Sequence, residues 1–417
     1  MSRIAVIGAG ISGMAAAHLL SRKHEVSLFE KESRLGGHTH THNVETSCGV
    51  LPIDTGFIVH NDRTYPNLVR LFRKLGIERQ ASDMSFGVSC RETGFEYSTR
   101  SVRGFLGSNL LRLQQYRLFA QILRFNRSAQ ALLRNPASIG LTLGEYLSAN
   151  GFHGDFSRYY LNPMAAAVWS TSLEEIEEFP AFTLFRFLDN HGLLGITTQA
   201  QWYALRGGSS VYIEPLTAPY RQRIRLGARI EAVSRNVRGV QVILEGCQPE
   251  QFDEVVFACH APQVMQLLRD PTPSERSVLS NFLTSRNRTV LHTDSRMLPR
   301  RPQARASWNY HLGTSRRSAT LTYHMNRLQS LPTLEDYCVT LNETGTLDGR
   351  RILREMDYFH PLYTVDAVRA QSRWSEISGK ERTHFCGAYW FYGFHEDGLN
   401  SSIRVAEKLG VRWEEAV

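Results

Sequence analysis

The run Ile4-Ala5-Val6-Ile7-Gly8-Ala9-Gly10-Ile11-Ser12-Gly13-Met14 decides the fold of this chain. Its four leading apolar residues predict a short buried strand, and Met14 to Ser21 are good helix material. The glycines therefore stand between a strand and a helix, the context in which GxGxxG marks a dinucleotide-binding turn. Gly8 permits the tight turn, Gly10 lets a pyrophosphate approach the backbone, and Gly13 lets the helix pack close to the strand. The helix opening at Ile11 and Ser12 then offers free amides and a partial positive charge. A second predicted strand, Glu25 to Phe29, ends at Glu30-Lys31, where the acid is placed to accept hydrogen bonds from ribose hydroxyls. A glycine turn without a ligand would leave that acid unexplained.

Both NAD and FAD use such a turn, so the choice rests on the residues beyond it. Arg34-Leu35-Gly36-Gly37-His38-Thr39 makes a second close-approach loop, and its arginine can neutralise phosphate or a nearby carboxylate. A simple NAD dehydrogenase has no need of it. Near the other end, a strand predicted over Phe385 to Tyr389 contains Gly387. Beyond it, Gly393-Phe394-His395-Glu396-Asp397-Gly398-Leu399 leads into a closing helix predicted over Ile403 to Leu409. Each glycine segment alone reads as a surface turn. Together they call for a ligand long enough to reach all of them, which is FAD.

Length and composition bound the rest. A chain of 417 residues, 42% hydrophobic and 21% charged, suits two interwoven domains of a soluble protein. No window holds the roughly 18 apolar residues of a membrane-spanning helix. The first apolar run is a strand and not a signal peptide, so a cytoplasmic location is expected. Six scattered cysteines without a CxxC pair fit free thiols in a reducing compartment. His38, His40 and His42 alternate as in a strand with no carboxylate or cysteine beside them, so no metal site is expected. The net charge of +8 suggests attraction to anions. Without zinc-finger spacing or an RNA-binding aromatic signature, nucleic acid is the weakest partner. Phe105 to Leu133 shows a helical stripe of Leu110, Leu113, Leu118, Ile122, Phe125 and Leu132, studded with Arg112, Arg117, Arg124, Arg127 and Arg134. Its arginines are either simply solvated or rest on anionic lipid headgroups in peripheral membrane contact. Arg229 to Val233 and Val240 to Leu244 predict a hairpin, and Glu254 to Ala258 a buried strand.

At these motifs the chain resembles the flavin-containing amine oxidase and phytoene desaturase superfamily. Arg206-Gly207-Gly208-Ser209 is similar to that family's mid-chain glycine pair, and Asp54-Thr55-Gly56-Phe57 to the DxG segment after RxGG. Val233 occupies the place where the family's backbone meets the adenine. Leu399-Asn400-Ser401-Ser402 departs from the family's glycine or alanine near the flavin. A narrower resemblance runs through Ser307 to Tyr310, Tyr323 to Gln329 and Val339 to Asn342. These segments are similar to bacterial NAD/FAD-binding proteins related to the flavin domain fused to plant cyclopropane fatty acid synthases. The resemblance implies an α/β fold with a glutathione-reductase-type, Rossmann-like FAD domain. Its discontinuous pieces would be 1–60, 205–265 and 381–417. A mixed-sheet substrate domain would take 61–204 and 266–380, with a helical insertion at about 104–200.

The cofactor carries the chemistry and the protein supplies position and electrostatics. The expected reaction is hydride transfer from a substrate C–H to flavin N5. An acyl chain also needs a base for the second proton, whereas an amine does not. His324, beside Tyr323, and His360 are candidate bases, although each also reads singly as a structural histidine. Trp308, Tyr310, Trp390, Phe391 and Tyr392 are candidates for an apolar channel. Some amine oxidases of the superfamily place a lysine by the flavin, and neither Lys380 nor Lys408 stands in a suitable strand. Three functions follow: desaturase-like oxidation of a fatty-acyl lipid, amine oxidation to imine and peroxide, and non-catalytic flavin binding beside a lipid-modifying methyltransferase. The first is preferred. Nothing in the sequence fixes an oligomeric state.

Overall fold

The computed structural model describes residues 1–46, 49–90, 92–101, 104–105, 113–134, 140–169, 173–195, 200–313, 319–342 and 346–416. Arg3–Ile7 is the middle strand of a five-stranded parallel sheet. The sheet is ordered Ile224–Arg225, Glu25–Phe29, Arg3–Ile7, Glu254–Phe257 and Thr383–Phe385. Strands covered on both faces read as unbroken apolar runs, as Ile4 to Ile7 and Val255 to Phe257 do. Ile11–Leu20 and His395–Lys408 pack on this sheet and on each other. Ile230–Asn236 and Gly239–Leu244 form the expected hairpin, extended by Glu250–Phe252.

A second, seven-stranded sheet runs Ile352–Leu362, Leu283–His292, Cys338–Leu341, Ala319–His324, Trp308–Leu312, Phe86–Cys90 and Phe95–Ser98. Its pairings are antiparallel except Trp308–Leu312 with Phe86–Cys90. A separate apolar core lies here, joining the sheet to Leu113–Leu133, Asn162–Trp169 and Ala181–Asn190. The architecture is thus α/β: a parallel dinucleotide sheet beside a mixed sheet that carries a helical insertion.

Three expected elements differ. The strand predicted over Phe385 to Tyr389 stops at Phe385, because the Tyr389 ring folds back over Gly387 and Ala388–Trp390 curls into a 3-10 turn. The closing helix begins at His395, eight residues before Ile403. Gly398, read as loop, is its packing face: a Cβ there would lie 2.7 Å from Ile11 Cγ2 and 2.9 Å from Ser12 Oγ. The long basic helix is Leu113–Leu133, burying Leu118, Ile122, Phe125, Ala129 and Leu132; Leu110 and Arg112 lie outside the described residues.

Candidate active site

The two N-terminal glycine loops are built against each other. Gly36 N donates to Ala9 O at 2.9 Å, Gly10 and Gly36 form a parallel bridge, and a Cβ on Gly37 would sit 3.0 Å from Gly10 Cα. Gly8 turns with φ of 103° and donates to Phe29 O at 2.8 Å. A Cβ on Gly13 would collide with the Gly8 carbonyl. A Cβ on Gly10, by contrast, meets nothing within 4 Å, so the turn opens onto free space. Gly10 caps the helix without a side-chain bond, leaving the first-turn amides of Ile11 and Ser12 to a ligand. That arrangement fits the pyrophosphate of FAD.

The polar groups around the loops hold them in shape. Buried Glu30 accepts from Ala9 N at 2.7 Å and from Glu32 N at 3.0 Å. Arg34 turns onto its own loop, donating to the carbonyls of Leu35 (3.3 Å), Gly37 (2.8 Å) and Thr39 (3.2 Å). Thr39 Oγ1 meets Tyr212 OH at 2.5 Å and His395 Nε2 at 2.9 Å. Lys31 is exposed beside Glu32. Val233 is buried in the hairpin, its carbonyl accepting from Arg269 N at 3.0 Å. Gly387 N donates to Ser401 Oγ at 2.8 Å, and Leu399 is fully buried.

Asp54 joins segments that are far apart in sequence. It accepts from Thr41 Oγ1 (2.5 Å), Ser209 N and Oγ (both 2.8 Å) and Gln329 Nε2 (2.9 Å). Burial nonetheless pushes its pKa up to about 6. The carboxylates expected beside the flavin have other partners. Glu396 accepts from Asn67 N at 3.0 Å and Leu68 N at 2.8 Å, capping the Pro66–Lys74 helix. Asp397 accepts from Phe394 N at 2.9 Å, capping its own helix, and burial raises it to about 7.

Past the second loop lies a cavity of about 250 Å³. His38, Gly56, Phe57, His360, Gly393 and His395 are among the residues that line it; Phe57 stacks on His395 at 3.8 Å. Tyr323, Tyr392, Trp308, Trp169, Phe187 and Met164 line it too. Tyr363 OH and Trp308 Nε1, both on the lining, have no hydrogen-bond partner among the described residues. Tyr310 and Trp390 are core residues, so of the Trp390–Tyr392 run only Tyr392 reaches the cavity.

His324 does not reach it either. Strand alternation turns it to the face opposite Tyr323, where Nε2 meets Asp336 Oδ1 at 2.9 Å beside Arg327 and Arg305. His360 and His38 do face the cavity, with their Nε2 atoms 3.0 Å apart. Burial, reinforced by the neighbouring His360, His260, His395 and Arg34, holds His38 well below the usual histidine range. Burial also lowers His360 to about 4 and His395 to about 3. All three are neutral near pH 7. Sequence reading missed the contributions of Met164, Trp169 and Phe187, whose only signal is the apolar and aromatic content of the helical insertion. It also missed Asn287 and Asn342, which stand behind His360.

The profile of a family described as flavin containing amine oxidoreductase matches residues 11–338. The Mycobacterium tuberculosis protein AofH, which carries the name of a flavin-containing monoamine oxidase, is 28% identical over 291 residues. That match takes 67% of this chain and 61% of AofH, so the chain spans about three fifths of that relative. A CLA-producing fatty acid isomerase from P. acnes superposes with a TM-score of 0.71 at 15% identity, covering 98% of this chain and 99% of its own. Cyclohexylamine oxidase from Brevibacterium oxydans superposes with a TM-score of 0.69 at 16% identity, with 98% and 99% covered. At such identities the superpositions speak for the fold alone.

Proposed function

The chain belongs to the flavin-containing amine oxidoreductase family, and from that premise we propose that it is an FAD-dependent oxidoreductase of an apolar substrate, a fatty-acyl lipid. The supporting observation is the cavity lining. Among the described residues that line it there is no Asp, Glu, Lys or Arg. A buried ammonium would find no ion-pair partner on that lining, at a cost of several kcal/mol. An acyl chain instead gains ~0.8 kcal/mol for each methylene buried. Met84 and Met164 adapt to a flexible chain, and Trp308 Nε1 and Tyr363 OH offer donors for a carbonyl end. Bound FAD supplies the hydride acceptor. That the same fold hosts a fatty acid isomerase supports an acyl chain as a fitting occupant.

A second reading, amine oxidation, draws support from the names of AofH and cyclohexylamine oxidase, and an aromatic lining can hold an uncharged amine. Anaerobic mixing separates the two. The purified flavoprotein is combined with vesicles of saturated and methyl-branched phospholipid, or with a series of primary amines. Bleaching of the flavin by lipid, with loss of two hydrogens from the acyl chain, is expected. Bleaching by amines alone would overturn the acyl reading.

On the acyl reading the substrate arrives from a lipid surface, and the Leu113–Leu133 helix is suited to meet one. It leaves Leu113 (69%), Tyr116 (48%) and Phe119 (44%) exposed. Arg117, Arg124 and Arg127 share that side of the helix, and the helix contains no acidic residue.

A further inference from the structure

A hydrogen-bond relay runs from the second sheet to the flavin loop. Asn342 Nδ2 donates to Asn287 Oδ1 at 2.7 Å, and Asn287 Nδ2 lies 2.8 Å from His360 Nδ1. His360 Nε2 then meets His38 Nε2 at 3.0 Å. Asn287 is buried with 1% exposure on Leu283–His292, opposite Tyr358 and diagonal to His360 of the neighbouring strand. The Ser285 carbonyl sets the orientation of its amide. Its oxygen takes the Asn342 bond, and its nitrogen faces the Ser285 carbonyl at 3.5 Å and Ser285 Oγ at 3.3 Å. Only an amide nitrogen suits a carbonyl oxygen there. Asn342 itself holds a left-handed φ of 56°, a conformation Asn tolerates better than other side chains.

The direction of each proton follows. Asn287 Nδ2 must donate, so His360 Nδ1 must accept and carries no hydrogen. A neutral His360 then holds its proton on Nε2 and donates it to His38 Nε2. A neutral His38 is left with its proton on Nδ1, which meets no acceptor among the described residues. The groups that face His38, namely His360, His260, His395, Arg34 and the Tyr358 ring at 4.9 Å, include no carboxylate that would favour an imidazolium.

We propose that Asn342, Asn287 and His360 are positioning residues that lock His38 as an uncharged Nδ1–H donor beside the flavin, where it stabilises the negative charge that accompanies flavin reduction. Such a donor is strongest in a site shielded from water, and being neutral it can remain buried. On this reading the histidine couple is not the base of the reaction, because each acceptor lone pair is already engaged. The inference rests on the flavin site and not on the substrate, so a failed lipid assay leaves it standing.

The test is nitrogen-15 NMR of the FAD-bound protein labelled at histidine, with His38→Gln and His360→Gln used to identify the two rings. The wild-type spectrum should show His360 as the Nε2–H tautomer and His38 as the Nδ1–H tautomer, both unchanged between pH 6 and pH 8. In Asn287→Leu, with flavin content and melting temperature checked, both rings should become mixtures of tautomers and the flavin midpoint potential should become more negative. A proton on His360 Nδ1 in the wild type, which needs no variant to fold, would overturn the relay. Mixed tautomers with an unmoved potential would overturn the donor role.

Discussion

Glu30 shows what one side chain contributes to the cofactor loop. It is buried, and its carboxylate takes the amide of Ala9, inside the glycine turn, and that of Glu32. Removing it leaves a buried donor unsatisfied at a cost of ~1–3 kcal/mol. Glu30→Ala is therefore expected to purify with most of its flavin absorbance missing and to melt lower than the parent. Full flavin retention in the variant would show that the turn holds its shape without the acid. Glu30 and the glycines were legible because their roles are local: tight turns and close approaches are written in a few consecutive residues. Asn287 and His324 were not. Asn287 acts through Asn342 and His360, residues 55 and 73 positions away, and no spacing rule links them. His324 looked catalytic beside Tyr323, but adjacent strand residues face opposite ways. Only the side of the sheet that meets the cavity decides between them.

Elements are legible where periodicity is strong and less so where a glycine has two explanations. The parallel strands announced themselves as apolar runs. Gly398 reads in sequence as a loop residue, yet it lies in the first turn of a 14-residue helix at its contact with the helix of the glycine turn. Close helix packing needs the same small residue as a turn does, and the sequence looks alike in both. Gly398→Val should push the His395–Lys408 helix away from Ile11 and Ser12, destabilise the protein by ~1–3 kcal/mol as overpacking does, and weaken flavin binding together with stability. A variant as stable as the parent would mean that the two helices can separate freely. The basic Leu113–Leu133 helix makes a different prediction. Full-length protein should sediment with phosphatidylglycerol vesicles and not with phosphatidylcholine vesicles, and salt should release it. Replacing Leu113, Tyr116 and Phe119 together by Ser should reduce binding at least tenfold. Equal binding to both vesicle types, or none to either, would leave this helix an ordinary solvated face.

Across the whole molecule, the cofactor region is a concentration of buried histidines that folding keeps neutral, and this sets how stability must change with pH. Burial pushes His60, His191, His260 and His360 to about 4 and His395 to about 3. In the unfolded chain each titrates near its ordinary value of about 6.5. Their contribution is therefore complete above that pH and is lost as pH falls toward 4, by ~1.4 kcal/mol per unit for each group. Buried carboxylates act with the opposite sign: Asp54, raised to about 6, Asp397, raised to about 7, and Glu396, also raised, bind protons in the folded state first. These histidines, joined by His38 and by His40 at about 3, outnumber the three carboxylates, which leaves a net uptake of protons on unfolding. The melting temperature should accordingly fall steadily from pH 6.5 to pH 4.5. Because His360 and His395 line the cavity and His38 beside them is held neutral as well, flavin fluorescence should appear in the same transition as the loss of circular dichroism. A melting temperature that stayed level or rose over that range would mean these imidazoles are not buried as neutral groups, and the uncharged donor assigned to His38 would fall with them.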